Sequence, residues 1–513
     1  MLGIERTEYI RHALNDHLLN TLNYKPLSHE EATQLRLEAL RKTLDLVTVS
    51  LHPDSEDVKY FRRSFGTTNS THVSRSTLVI FRLSQFYLTP KVHKLPLKFR
   101  PVISKSGSEL EILSVWLDVQ LQRVKHLCPG YLKDNWTLIR NLQDIDGKLP
   151  SNAYFVTADA VGMYSNIDTD HGLQAMQEWF EDLHSHELPK DYPTKTILNG
   201  LEIVMRLNVF GFGNTFWLQL RGTAMGTSVA VMYATIYYSL HEETAIAPPP
   251  PMLPRLNLLL SKRFIDDAIF LLTSDDPAAT KATIMETMNN FGPPGKQLVW
   301  EVSDLSRSIN FLDLTLSITE QGEIKYQTYQ KPMNLYLYIP RMSAHPESVF
   351  KSFIQSAIQR YWLQNSDPAD FQSILKLFFL HLRARGYPQE ELKQLFIATC
   401  RQIDLKQPGI PGGPAEPSGA ATTTTVATTP PTRQLYLHTE YHPNSVPRQM
   451  IHKAFQSTIG QEGLVGEGPP LALTIAYARA PNIGDTAVRT TLIQQGEHPL
   501  VSNHLQQPSQ GLL

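Results

Sequence analysis

Hydrophobic positions near the start of the chain recur with helical spacing. Leu37, Leu40, Leu44 and Val47 share one stripe. Ser28 followed three residues later by Glu31 is a capping-box pattern that places a helix start just ahead of it. Residues 1–85 therefore predict a helical N-terminal extension. Residues 86–150 open on a basic, proline-punctuated stretch and continue into an amphipathic helix near Leu110 to Val124. Residues 151–330 mix strand and helix periods. Residues 331–406 return to helical spacing. The segment 407–432 is rich in Pro, Gly, Ala and Thr, includes the run Thr422 to Thr425, and reads as a flexible linker. Beyond it, Leu435, Leu437, Thr439 and Tyr441 alternate, as do Leu471, Leu473, Ile475 and Tyr477, which predicts two strands in a small C-terminal unit, residues 433–513. Pro248 to Pro251 marks a surface loop between two core elements.

Chemistry concentrates in the mixed segment. Arg263-Phe264-Ile265-Asp266-Asp267 runs into Ala268 to Leu272, so two aspartates sit between apolar runs. That pattern predicts a β-hairpin with Asp266 and Asp267 at its tip. Two adjacent carboxylates repel each other and cost desolvation, and a divalent cation relieves both. Mg²⁺ favours one or two carboxylates together with phosphate oxygens. Taken alone, the pair also reads as a solvated turn. A second aspartate, Asp159, ends the apolar run Tyr154 to Ala158 and is followed five residues later by Tyr164. A strand-end aspartate beside a hairpin tip is suited to two-metal phosphoryl transfer; by itself Asp159 also reads as a helix N-cap. Between them, Arg221-Gly222-Thr223-Ala224-Met225-Gly226 precedes a run with small residues Ala230 and Ala234. The two glycines predict either close approach of a backbone or nucleotide, or a tightly packed helix start.

Bulk properties change this picture. With 513 residues and 42% hydrophobic content, the chain is long enough for about three domains with buried cores. The net charge of -2 runs against a nucleic-acid enzyme, because phosphate neutralisation needs Lys and Arg; local basic clusters must then supply the attraction. Cys128 and Cys400, far apart, make neither a disulfide framework nor a zinc site. The polar N-terminus lacks the core of a secretion signal, and Val229 to Leu240 is too short to span a bilayer, which points to an intracellular protein without a membrane segment. His438, His442 and His452 read as surface or core residues.

The order of the pieces resembles motifs A, B and C of reverse transcriptases: strand-Asp159-x4-Tyr164, then Gly222-x3-Gly226, then Phe264-Ile265-Asp266-Asp267. Leu88-Thr89-Pro90-Lys91-Val92-His93-Lys94, Phe99-Arg100-Pro101-Val102-Ile103-Ser104, Ile309 to Leu314, Gln330-Lys331-Pro332, Ser343 to Pro346, Tyr441-His442-Pro443 and Arg479-Ala480-Pro481-Asn482 are similar to segments of Penelope-like retroelement enzymes. The resemblance covers about residues 86–490. It implies an α+β right-hand polymerase, with fingers at 86–150, an antiparallel palm sheet at 151–330 and a helical thumb at 331–406. It implies an RNA-directed DNA polymerase that uses two Mg²⁺ ions, or Mn²⁺, with Asp159, Asp266 and Asp267 as catalytic metal ligands. Tyr164 would be the gate that rejects a 2′-hydroxyl. Lys91 and Arg100 would contact the triphosphate or template, and Gly222, Met225 and Gly226 would line the nucleotide pocket. Lys296 would be a general acid. Partners would be an RNA template, a DNA primer or target and dNTPs, and integration would take place in the nucleus. Phe264 stands where many reverse transcriptases have Tyr, and neither half of a GIY-YIG endonuclease motif occurs. The near-neutral charge keeps open a domesticated, non-catalytic nucleic-acid-binding protein. Tyr164 argues against an RNA-directed RNA polymerase, where a small residue is expected.

Overall fold

The computed structural model describes residues 20, 22–52, 55–65, 73–91, 98–145, 147–246, 256–332, 334, 336–406, 433–441, 446, 448–458 and 471–479. Val92 to Lys94, the 248–251 loop, the 407–432 linker, His442-Pro443 and Ala480 to Asn482 lie outside the described residues. These residues form two compact units: those up to 325 with 329–332 in the first, and 326–328 with 334–479 in the second.

In the first unit, Ser28 caps α1 (His29–Ser50). Its hydroxyl accepts from the Glu31 amide at 3.2 Å, and its own amide donates to the Glu31 carboxylate at 2.8 Å. The stripe Leu37, Leu40, Leu44 and Val47 is buried, as its spacing predicts. A five-stranded sheet has the order β1-β6-β5-β2-β3, built from β1 (Tyr24–Leu27), β2 (Ser84–Lys91), β3 (Lys98–Ser104), β5 (Val209–Phe212) and β6 (Thr215–Gln219). Only β2 and β5 pair in parallel. The sheet draws strands from three stretches of sequence, so the N-terminal extension is not helical alone. Its apolar face, with Tyr24, Phe86, Ile103, Phe210 and Trp217, forms a small separate core.

The second sheet of this unit is antiparallel throughout, in the order β7-β8-β4-β9, with β4 (Ala153–Ala160), β7 (Leu258–Phe264), β8 (Asp267–Thr273) and β9 (Trp300–Val302). Alternation sends Val156, Ala158 and Ala160 of β4, and Ala268, Phe270 and Leu272 of β8, to one face. There they join a core with Leu113, Leu117 and Leu121 of α2 (Glu111–Val124), Met176 of α3 (Thr169–Glu178), Leu201 of α4 (Thr194–Arg206) and Ile236 and Tyr238 of α5 (Ala230–His241). α2 lies where its periodicity predicts. β10 (Ser308–Phe311) and β11 (Leu314–Ile318) form a hairpin.

The second unit holds α6 (Glu347–Leu363), α7 (Pro368–Ala384) and α8 (Gln389–Lys406), packed through Phe350, Ile354, Ile358, Phe378, Leu382 and Leu392. It also contains β12 (Arg433–Tyr441) and β13 (Leu471–Arg479), the two strands the alternation predicts, paired in parallel register. A parallel pair needs a crossover, and α9 (Arg448–Thr458) lies between them in sequence. His438 is exposed, and His452 accepts from Arg448 Nε at 3.3 Å. No disulfide joins Cys128 to Cys400. Among the described residues no helix is long and apolar enough to cross a membrane.

Leu44 has 0% exposure in the helical core. Leu44→Ala is expected to cost about 2–5 kcal/mol in urea unfolding, and a loss below about 1 kcal/mol would show that the stripe does not anchor α1.

Candidate active site

The site begins with a two-residue turn. Phe264 and Asp267 form the last rung between β7 and β8, so Ile265 and Asp266 are the turn itself. This corrects the expected tip: Asp266 occupies it, whereas Asp267 is the first residue of β8. Ile265 has φ 58°, a left-handed conformation that is unusual for a β-branched side chain and costs about 1–3 kcal/mol. Two hydrogen bonds hold it there. Arg263 Nη1 donates to the Ile265 carbonyl at 2.9 Å, and the Ala160 amide donates to the Asp266 carbonyl at 2.8 Å. The second bond ties the turn to the end of β4, one residue past Asp159.

Register then gathers the carboxylates. Asp159 sits opposite Asp267 on one side and Glu301 on the other. Directly opposed residues in an antiparallel pair share a face, with Cβ atoms about 4.5–5.5 Å apart. Asp267, Asp159 and Glu301 therefore form a row across three strands, with Asp266 above it on the turn. Asp159 lies in the strand and is exposed, so it is not a helix N-cap. The row borders a cavity of about 300 Å³, also lined by Thr157, Ser303, Asn310 and Leu312. Burial raises the pKa of Asp267 to about 6, and the charges of Asp266 and Asp159 push in the same direction, while Lys331 opposes them. Among the described residues, no three acidic, His or Cys side chains already converge as a metal cage. The donor set fits Mg²⁺ nonetheless: hard carboxylate oxygens, mutual repulsion that a cation removes, and an adjoining cavity. Asp159, Asp266 and Asp267 are the residues that would hold it.

Tyr164 lies on a short helical turn, Met163–Asn166, that follows Gly162 at φ 56°. It is half-buried. Burial pushes its hydroxyl up to about 12, helped by the charge of Asp266 and opposed by that of Arg100. The side chains of Tyr164, Asp266 and Arg100 are thus within electrostatic reach of one another. Arg100, opposite Thr89, is exposed on the β2–β3 hairpin. Lys91 is opposite Lys98 on the same face, so the hairpin presents three cations on one face. Lys98 was not singled out by the sequence.

The glycine loop does not open a helix, since α5 starts at Ala230, beyond both glycines. Its work is close backbone approach. A Cβ on Gly222, at φ 76°, would fall 2.2 Å from the Tyr164 carbonyl, which accepts from the Thr223 amide at 2.7 Å. A Cβ on Gly226 would meet the Ile103 carbonyl at 2.5 Å, and the Ile103 amide donates to the Met225 carbonyl at 2.8 Å. The loop therefore fixes Tyr164 on one side and β3 on the other. Lys296, expected as a general acid, pairs with Asp168 Oδ2 at 2.7 Å. Asp168 is itself the N-cap of α3.

Sequence reasoning missed Glu301, because β9 is only three residues long and shows no period. Arg263 and Lys331 carry no role legible in the sequence, since neither the burial of the first nor the approach of the second to Asp267 has a sequence signal.

Residues 337–396 match the model of the animal helix-turn-helix domain. These are the helices expected as a thumb. No curated protein matches the chain. Among solved structures, the chain is similar to telomerase from Candida albicans with a fragment of telomeric RNA, at 10% identity and TM-score 0.44, over 64% of this chain and 60% of that one. It is similar to apo telomerase from Candida tropicalis at 12% identity and TM-score 0.38, over 64% and 62%. It is also similar to the Sicinivirus 3Dpol RNA-dependent RNA polymerase at 13% identity and TM-score 0.41, over 76% and 89%. The chain spans about 60% of the length of the Candida albicans telomerase.

The raised pKa of Asp267 has a thermodynamic consequence. A carboxyl that titrates near 6 when folded and near its ordinary value when unfolded contributes stability at low pH, and that contribution is lost as pH rises through 6. Asp267→Asn is therefore expected to gain melting temperature relative to wild type as pH rises from 4 to 7 in metal-free buffer. A gap that stays constant across that range would show that neither burial nor the neighbouring charges raise the Asp267 carboxyl in the folded chain.

Proposed function

We propose that this chain is a nucleotidyltransferase of the right-hand polymerase type: an RNA-directed DNA polymerase serving a Penelope-like retroelement. The carrying observation is the placement of Asp159, Asp266 and Asp267 on adjacent strands and their turn, beside a cavity and within reach of Tyr164 and Arg100. In this reading the antiparallel sheet is the palm, the β2–β3 hairpin belongs to the fingers, and the helices of residues 337–396 contact nucleic acid, as helix-turn-helix units do.

Asp159, Asp266 and Asp267 would hold two Mg²⁺ ions, with Mn²⁺ as a substitute. The ions would activate the primer 3′-hydroxyl and neutralise charge on the triphosphate. The chain's own groups do the rest. Arg100 offers a bidentate guanidinium to phosphate oxygens, and Lys91 adds a point charge on the same face. Lys331, close to Asp267, is placed to screen negative charge where substrate and carboxylates meet. Tyr164, held through its carbonyl by Thr223 and by the space Gly222 leaves, presents a fixed ring to the sugar and excludes a 2′-hydroxyl. Met225 and Gly226 would border the nucleotide. Partners on this reading are an RNA template, a DNA primer or target DNA and dNTPs, with the nucleus as the place of action.

Primer extension on poly(rA)·oligo(dT) with dTTP and Mg²⁺ tests this. Wild type is expected to extend and Asp266→Ala to fall to background. Tyr164→Ala is expected to improve ribonucleotide use relative to dTTP by about 10²-fold. Equal extension by wild type and Asp266→Ala would remove the catalytic assignment. Failure of a folded wild type to extend, with retained RNA binding, would favour the non-catalytic nucleic-acid-binding reading that the net charge of -2 keeps open.

A further inference from the structure

Behind the carboxylates lies a buried ion pair that takes no part in the reaction as proposed. Arg263 is 1% exposed, one of the largest fully buried side chains among the described residues. Its guanidinium makes four hydrogen bonds. Nε and Nη2 donate to Glu242 Oε1 and Oε2 at 2.7 and 2.9 Å, Nη2 donates to the Thr235 carbonyl at 2.8 Å, and Nη1 donates to the Ile265 carbonyl at 2.9 Å. The Tyr238 ring lies beneath it, 5.2 Å from its centre.

The partner is fixed just as firmly. Glu242 opens a π-helical turn, Glu242–Ile246, at the end of α5. The next residue, Glu243, anchors that turn by accepting from Trp179 Nε1, His184 Nε2 and Ser239 Oγ. Gly130 leaves the space for the Glu242 carboxylate, since a Cβ there would fall 2.6 Å from Oε2. The same segment grips the Arg263 backbone, whose amide donates to the Gly130 carbonyl at 2.7 Å and whose carbonyl accepts from the Leu132 amide at 2.9 Å.

Stability alone does not explain this arrangement. A buried ion pair costs desolvation, and apolar residues of similar volume stabilise a core as well or better. What they cannot supply is the donor to the Ile265 carbonyl. That carbonyl belongs to the residue held at φ 58°, immediately before Asp266. We infer that Arg263, oriented by Glu242, is a positioning residue that locks the left-handed turn and so sets where Asp266 stands relative to Asp159. The inference rests on the polymerase reading for its consequence in catalysis, and on the turn geometry for its cause.

The test uses the full chain, with Arg263→Lys and the double variant Arg263→Met/Glu242→Leu, which leaves no unpaired buried charge. Three readouts are taken: melting temperature, amide hydrogen exchange across residues 258–272, and the separate kcat and KM of primer extension. The double variant is expected to stay folded, to exchange faster at Ile265 to Asp267, and to lose kcat by about 10²-fold with KM for dTTP unchanged. Arg263→Lys is expected to follow it, because a compact ammonium cannot span the acceptors on Glu242, Thr235 and Ile265 that the guanidinium reaches from three separate nitrogens. If the double variant fails to fold, Arg263→Lys decides by the same readouts. Wild-type exchange at the turn in a folded variant would overturn the inference, as would faster exchange with unchanged kcat. A wild type that does not extend primers would sink the polymerase reading alone, and the exchange data would still decide whether Arg263 holds the turn.

Discussion

Carboxylates gain nothing from being close to each other in a partly buried place. Asp267 loses hydration there, and the charges of Asp266 and Asp159 raise the cost of ionising it further. Antiparallel register imposes that closeness here, because Asp159 and Asp267 are directly opposed and the two-residue turn sets Asp266 beside them. The surrounding fold has to hold an arrangement that its own charges oppose. β4 and β8 are buried strands whose apolar residues bind the helices, and only their ends release the aspartates to the cavity. The strain at Ile265 is local, while the bonds that hold it reach back through Arg263 to α5 and through Ala160 to β4.

A second set of constraints couples this centre to the five-stranded sheet. The glycine loop touches Tyr164 by one glycine and β3 by the other, in both cases backbone against backbone. The strand that carries Lys98 and Arg100 and the turn that carries Tyr164 therefore both pack on this loop without any long side chain between them. This follows from close packing: two peptide groups in contact leave less slack than two side chains. The site is thus assembled from segments more than a hundred residues apart in sequence.

The sequence made the elements legible where period and caps are strong. α1 shows its capping box and its stripe, α2 its amphipathic face, and the C-terminal strands their alternation. The aspartates were legible as a set because an apolar run ending in Asp is a strand edge. The turn was legible only in outline: an Asp-Asp pair suggests a shared tip, and only the register at Phe264 shows that one of them is already in the strand. The glycine loop was placed correctly along the chain, and of its two readings close backbone approach holds while a helix start does not, since a Gly-x3-Gly spacing looks the same before a helix as in its first turn. Glu301 was invisible in a three-residue strand. Arg263 was in plain view, yet an arginine that follows Lys262 carries no mark of being buried, because its partner Glu242 lies 21 positions away. The pairing of Lys296 with Asp168 was hidden for the same reason.

Titration of Mn²⁺ into the wild-type chain and into Asp159→Asn, followed by calorimetry without nucleic acid, tests most directly whether strand and turn carboxylates act as one cation site. Saturable binding in wild type and its marked weakening in Asp159→Asn are the predicted results. Identical isotherms for the two proteins would contradict the account, because Asp159 would then stand beside the turn without sharing a charge with it.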